Sequence, residues 1–239
     1  MERFSIKQPL ILGALLAIGL SSLGWQIKTG LLEYKAMERT VLVKGLAEQE
    51  VLADTVIWPI QFSDTGNDLA ELIEQVQSKN EAINAFLALH GFDPNDVSLG
   101  ALAVIDKLAD QYSNNQGVQY RYLVRSTITV HSQEPEKVNN ALSKISQLAK
   151  QNIAIAGQNY ESRVQYSFTG LNDLKPQMIQ TATEQAREVA EKFANDSKSK
   201  LGKIKSARQG QFSISDRDSN TPHIKHVRVV STVEYYLSD

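Results

Sequence analysis

Residues 118–149, VQYRYLVRSTITVHSQEPEKVNNALSKISQLA, contain the change of period that decides the fold class. Val118, Tyr120, Tyr122, Val124, Ile128 and Val130 fall on one side of an extended chain. Gln119, Arg121, Arg125, Thr127 and Thr129 fall on the other. Alternation with period two marks a strand that buries one face. Beyond it Val138, Ala141, Leu142, Ile145, Leu148 and Ala149 recur at helical spacing. A strand with one apolar face needs a covering layer, and the helix after it can supply one.

The same switch appears upstream. Val41, Val43 and Gly45 share one side of a short strand, and a second strand runs over about 51–62. There Val56, Trp58, Ile60 and Phe62 oppose Thr55 and Ile57. Gly45 reads as the start of a turn pairing these strands as a hairpin. Pro59 has no N–H to donate and reads as an edge position or a bulge. Asp68 is placed to cap a helix carrying Leu69, Leu72, Ile73, Val76, Ile83, Phe86 and Leu87, and Gly91 to end it. Residues 99–108 fit a short helix or a strand equally, and Asn114-Asn115-Gln116-Gly117 is a loop.

Downstream, Ile153–Ile155 leads to a strand with Val164, Tyr166 and Phe168. A long helix comes next over about 175–201, with the stripe Met178, Ile179, Ala182, Ala186, Val189, Ala190, Phe193 and Ala194, ending at Gly202. Strands over about 203–214 and 226–237 close the chain. Two strands followed by a helix occur more than once, without a literal sequence repeat. The pattern predicts an α+β fold of largely antiparallel sheets with helices packed on one face, preceded by one N-terminal transmembrane helix.

That helix is read from residues 8–27, which carry no formal charge. Leu10, Ile11, Leu12, Leu15, Leu16, Ile18 and Leu20 form its centre, and Trp25 stands near its far end. Twenty helical residues cover about 30 Å, the thickness of a bilayer's hydrocarbon core. A secretory signal would also start with Arg3 and Lys7 and offer Ser22 and Gly24 as small residues before a cut, but it lacks an Ala-x-Ala site. A buried soluble helix would show a recurring polar face, and none appears. The expected organisation is a tail over 1–8, an anchor or uncleaved signal over 9–28, a linker over 29–38 and a folded domain over 39–238. Arg3 and Lys7 before the span are balanced by Lys28, Lys35 and Arg39 after it, so local charge sets no orientation. A span this near the N-terminus usually exports the chain behind it. The folded domain is therefore expected in the periplasm, behind a single-pass inner-membrane helix.

Composition narrows the chemistry. The 239 residues are 42% hydrophobic and 22% charged, which excludes a disordered chain. The net charge of −2 argues against a whole-molecule polyanion binder. The absence of cysteine removes disulfides, cysteine nucleophiles and Cys-ligated metal sites.

Several elements then fall into a recognisable order. Val41-Leu42-Val43-Lys44-Gly45 is followed by a partner strand with Asp54, the helix ending at Gly91, the Tyr122-bearing strand and the Ile153 strand. The Ala182/Ala186/Ala190/Ala194 ladder comes last, before Leu201-Gly202-Lys203. Together these resemble the SIMPL-domain family of bacterial envelope proteins, over roughly residues 39–238. The stretch around 99–116 departs from the family pattern as an insertion. The resemblance implies an exported or membrane-anchored α+β protein, a tendency towards ring-like oligomers, and roles linked to envelope maintenance or oxidative stress. It brings no catalytic residues to transfer.

Candidate chemistry is sparse. His223 and His226 would point to opposite faces of a strand, so one metal could not easily take both. His90, beside Gly91, suits a helix C-terminus, and His131 has no evident Asp or Ser partner. Lys198, Lys200, Lys203, Lys205 and Arg208 form the densest positive run. They fit an anionic partner such as lipid headgroups, or the last turn of a helix followed by a solvated edge. Tyr120, Tyr122, Tyr166 and Phe168 would make a ligand wall or ordinary sheet packing if their strands adjoin. Tyr235 and Tyr236 point to opposite faces, leaving one exposed. Hydrolase, metalloprotease, P-loop and dinucleotide motifs do not occur. The expectation is a non-enzymatic protein without metal or cofactor; the alternatives are a periplasmic binding module for a small or lipidic ligand, using the aromatic sheet face, and an unrecognised hydrolase. Its partners would be the lipid bilayer and further copies of itself; nucleic acid is excluded, and no protein partner is named.

Overall fold

The computed structural model describes residues 7–36, 39–109, 119–157 and 162–238. The loop read at 114–117, Val118 and Arg3 lie outside the described residues. Helix α1 (Lys7–Ala36) precedes β1 (Thr40–Leu52), β2 (Thr55–Gly66), α2 (Leu69–Leu89), β3 (Val97–Leu99), β4 (Ala103–Asp106) and β5 (Tyr122–Ser132). Then come α3 (Pro135–Leu142), α4 (Ser146–Ala149), β6 (Gln165–Ser167), α5 (Leu171–Asp196), β7 (Lys200–Gln209), β8 (Ser213–Asp216) and β9 (Ile224–Ser238). The fold is α+β. The ambiguous segment 99–108 resolves as strand: β3 and β4 both pair with β5. The chain divides into two compact units, one of Met1–Glu48, Lys175–Ser213 and Arg228–Asp239, the other of Gln49–Leu174 and Ile214–Val227.

The second unit is built on an antiparallel sheet ordered β3-β5-β2-β6, with β4 also on β5. Period-two alternation places Val56, Trp58, Ile60 and Phe62 of β2 on its buried face with Val124, Ile128 and Val130 of β5. Helix α2 covers that face with Leu72, Val76, Ile83, Phe86 and Leu87, and Val138, Ala141 and Leu148 complete the core. Ser126 also points inward, and its hydroxyl donates to Asn80 Oδ1 at 2.8 Å, so neither buried polar group is orphaned. The carboxylate of Asp68 accepts from the N–H groups of Ala70 and Glu71 and caps α2 as its spacing implies. Gly91, with φ +82°, lies just past the other end. Pro59 faces Thr129 on β5. Its missing N–H lies on the opposite edge, because the carbonyl of Gln61, two residues on, points there to accept from Ala156 N–H.

The expected hairpin does not form: β1 and β2 lie in different sheets, and β2 pairs instead with β5. The chain turns at Ala53 and Asp54, where Ala53 N–H donates to His223 O and Asp54 N–H to Ser167 O. The Asp54 carboxylate accepts from the N–H groups of Thr169 and Gly170 at 2.8–2.9 Å, just ahead of α5. Burial pushes this carboxyl up. The hydrogen bonds from Thr169, Gly170 and Thr55 outweigh that and hold it below the usual value. A lowered carboxyl contributes stability above its unfolded pKa and loses it as pH falls through the folded one. Asp54→Ala is therefore expected to cost about 1–2 kcal/mol at neutral pH. In denaturant titrations the gap to the parent should close below about pH 4.

The first unit holds most of a sheet ordered β1-β9-β7. Strand β8, which after Ser213 belongs to the second unit, pairs with β9. Val43 and Ala47 of β1 and Val229, Val233 and Tyr235 of β9 are buried. On α5 the buried residues are Met178, Ala182, Ala186, Ala190 and Ala194. Val43, Val233 and Tyr235 pack with Ala186 and Ala190 in one cluster. The small side chains allow a close backbone approach. A Cβ built on Gly45, inside β1, would stand 1.8 Å from the carbonyl oxygen of Ala182. Gly45 is therefore a contact residue, not a turn. Val189 and Phe193 belong to the apolar stripe of the sequence but are 39% and 56% exposed. A four-residue ladder advances about 40° around the helix per step, so near Ala194 the contact line has rotated away from Phe193.

Helix α5 ends at Asp196, before the expected stop at Gly202, which lies in β7. Lys198 takes a left-handed φ of 56°. Its N–H bonds Asn195 O, and Ser199 N–H bonds Ala194 O, which closes the helix. Tyr122 and Tyr166 sit on strands separated by β2, opposite Gly66 and Val56 respectively, so the aromatic wall does not assemble. Tyr235 is buried and Tyr236 exposed, on opposite faces of β9.

Candidate functional site

The first candidate is α1. Its stretch Leu12–Lys35 is 24 residues long, apolar enough to cross a membrane, and wholly unburied. At about 1.5 Å per residue it reaches some 36 Å, more than the hydrocarbon core requires. Leu12, Leu15, Leu16, Ile18, Leu20 and Trp25 are all exposed large apolar side chains. Leu10 and Ile11 lie in the helical backbone, with side chains outside the described set. Lys28 Nζ stands 5.9 Å from the Trp25 ring, a cation and an amphipathic ring where the uncharged run ends. The helix continues through the segment read as a linker to Ala36. Its length and composition suit a membrane anchor or an export signal.

The second candidate is not visible as a unit in the sequence. Two adjoining cavities in the second unit, of about 970 and 660 Å³, share Asn139 and His223 in their walls. The larger is lined by the end of α2 (Leu89, His90, Gly91), the start of α3 and the Leu52–Ala53 corner. The smaller is lined by Arg163–Tyr166 around β6 and by Asp216, Ser219, Asn220, Pro222 and Lys225. Tyr166 donates its hydroxyl to Asn139 Oδ1, and its ring meets His223 edge-on at 6.0 Å. Lys225, whose side chain is 8% exposed, pairs with Asp216.

The loop between Asp216 and Lys225 is held by Asp218. Its carboxylate accepts from Asn220 N–H at 2.8 Å and Thr221 N–H at 2.9 Å. Hydrogen bonds from the Thr221 hydroxyl, then Arg217, keep its carboxyl far below the usual range. Burial pushes the Tyr166 phenol up, so at neutral pH it is a donor and not a base. His90 Nδ1 lies 2.8 Å from Phe86 O and is engaged at the end of α2. Among the described residues no group of three or more His, Asp or Glu side chains could hold a metal ion. His223 and Tyr166 each stand out in the sequence, but Asn139 and Asp216 carry no signal until the chain folds.

The third candidate is the basic run. It does not occupy a last helical turn: Lys198 is in the turn after α5, and Lys200, Lys203, Lys205 and Arg208 lie along β7. Among the described residues strand β7 pairs only with β9, at an edge of its sheet. Lys205 is neutralised by Glu234 at 3.1 Å. Charges spread along an edge strand discourage edge-to-edge pairing.

The SIMPL family model, described as a protein of unknown function (DUF541), matches residues 41–233. A search of curated proteins finds no match. The matched span begins with β1 and ends within β9, and so takes in both units and the strands that carry Gly45 and Tyr235. The chain belongs to the SIMPL family.

Proposed function

We propose that α1 tethers the folded units to a bilayer, on the periplasmic side of the inner membrane, and that the protein acts there as a non-catalytic, self-associating surface of the cell envelope. One observation carries the reading: a 24-residue apolar helix with no part of it buried against the protein. Exposing that much apolar surface to water is costly, and a bilayer removes the cost. Self-association is supported by the face of the sheet opposite α5, where Leu42, Leu46 and Tyr236 are exposed. The envelope-maintenance or oxidative-stress role rests on the family resemblance.

Cell fractionation with an alkaline carbonate wash, together with the mass of the mature chain, tests the tether. The full-length mass should remain in the washed membrane. Deletion of residues 1–36 should move the protein into the soluble fraction. A mature chain starting near Trp25 would defeat the anchor. Light scattering of the detergent-solubilised chain should give a multiple of its 26.6 kDa mass, and a monomer would remove the assembly from the proposal.

A further inference from the structure

We propose that the 660 Å³ cavity between β6 and the Asp216–Lys225 loop binds a sugar-sized molecule carrying one carboxylate. The inference goes beyond the tether and does not depend on it. Its starting point is Lys225. A buried ammonium costs several kcal/mol unless it is fully compensated. Among the described residues Lys225 has one partner, Asp216, which uses one of three N–H donors. The side chain lines the cavity, leaving donors there for an acceptor.

The surrounding chemistry specifies the acceptor. Arg163 lines the same space and makes no ion pair among the described residues. Arg163 and Lys225 against Asp216, the one acid among the described lining residues, leave an excess of one positive charge there. A monoanion balances it; a phosphate dianion exceeds it, and a neutral sugar leaves the positive charge uncompensated. Because Asn139 Oδ1 accepts from Tyr166, the amide NH2 of Asn139 is the group left to donate. Ser219 and Asn220 supply a hydroxyl and an amide suited to sugar hydroxyls. The volume is that of an ordinary small-ligand site.

Isothermal titration of the full chain in detergent micelles with D-glucuronate tests the site, with D-glucose and inorganic phosphate as comparison probes. Glucuronate should bind one-to-one, with glucose and phosphate at least tenfold weaker. Lys225→Met should weaken glucuronate tenfold or more, and Arg163→Gln several-fold. Arg163 is exposed, so Arg163→Gln reads the site even if Lys225→Met disturbs folding. No glucuronate binding, equal binding of glucose, preference for phosphate, or unchanged glucuronate affinity in Arg163→Gln would each overturn the proposal.

Discussion

Gly45→Ala is expected to destabilise the first unit by at least about 3 kcal/mol, although it adds one methyl group. The added carbon would stand 1.8 Å from Ala182 O and 2.5 Å from Ala186 N, both backbone atoms of α5. No rotamer change can relieve a backbone clash, so the helix must move off the sheet or unfold. Moving it would open the contacts of Ala186 and Ala190 with Val43 and Val233, in a core too small to repack. Gly157→Ala is the control: nothing among the described residues lies within 4 Å of the added carbon, and stability should change by a few tenths of a kcal/mol at most. Chemical denaturation of both variants in the same detergent checks this. Equal midpoints for Gly45→Ala and the parent would refute the close approach of α5 and β1.

Trp58→Ala should cost the second unit about 3–5 kcal/mol. Trp58 is 2% exposed at the centre of β2 and meets Phe92 edge-on at 6.3 Å. Its neighbours on the same face, Val56 and Ile60, are fully buried, so the cavity left behind has little room to collapse. The chain has two tryptophans, Trp25 and Trp58, and Trp25 is exposed on α1. Trp58→Ala removes the emission probe of its own unit, so circular dichroism in denaturant reads this variant, Trp25→Phe and the parent alike. Loss of Trp25 should leave the folding midpoint unchanged, since it contacts no core residue. A midpoint for Trp58→Ala within 1 kcal/mol of the parent would contradict the assigned core.

These two positions also show what is legible before folding. Trp58 can be placed from the sequence because a strand buried on one face writes its period into the residues. The same holds for β5 and for α2, whose Asp68 cap and Gly91 terminus are local chemistry. Gly45 misleads because a glycine within a strand pattern signals a turn, a bulge or a close backbone approach alike. Only the position of Ala182 on α5 chooses among them. The end of α5 misleads for a related reason: the left-handed residue that closes it is Lys198 and not a glycine. The apolar helix α1 is legible because it depends on composition over a continuous run. The cavity cluster of Tyr166, Asn139, His223, Lys225 and Asp216 is not, since residues 139 to 225 meet only through tertiary packing.

The proposed tether places α1 across a bilayer with the folded units beyond it. The chain has no cysteine, so a single one introduced by substitution reports its side of the membrane without background. Gln77→Cys, exposed on α2, and Ser5→Cys, ahead of α1, are to be treated with a membrane-impermeant maleimide in cells whose inner membrane is intact. Position 77 should label at once, and position 5 only after lysis. Protection of position 77 until lysis would contradict the crossing.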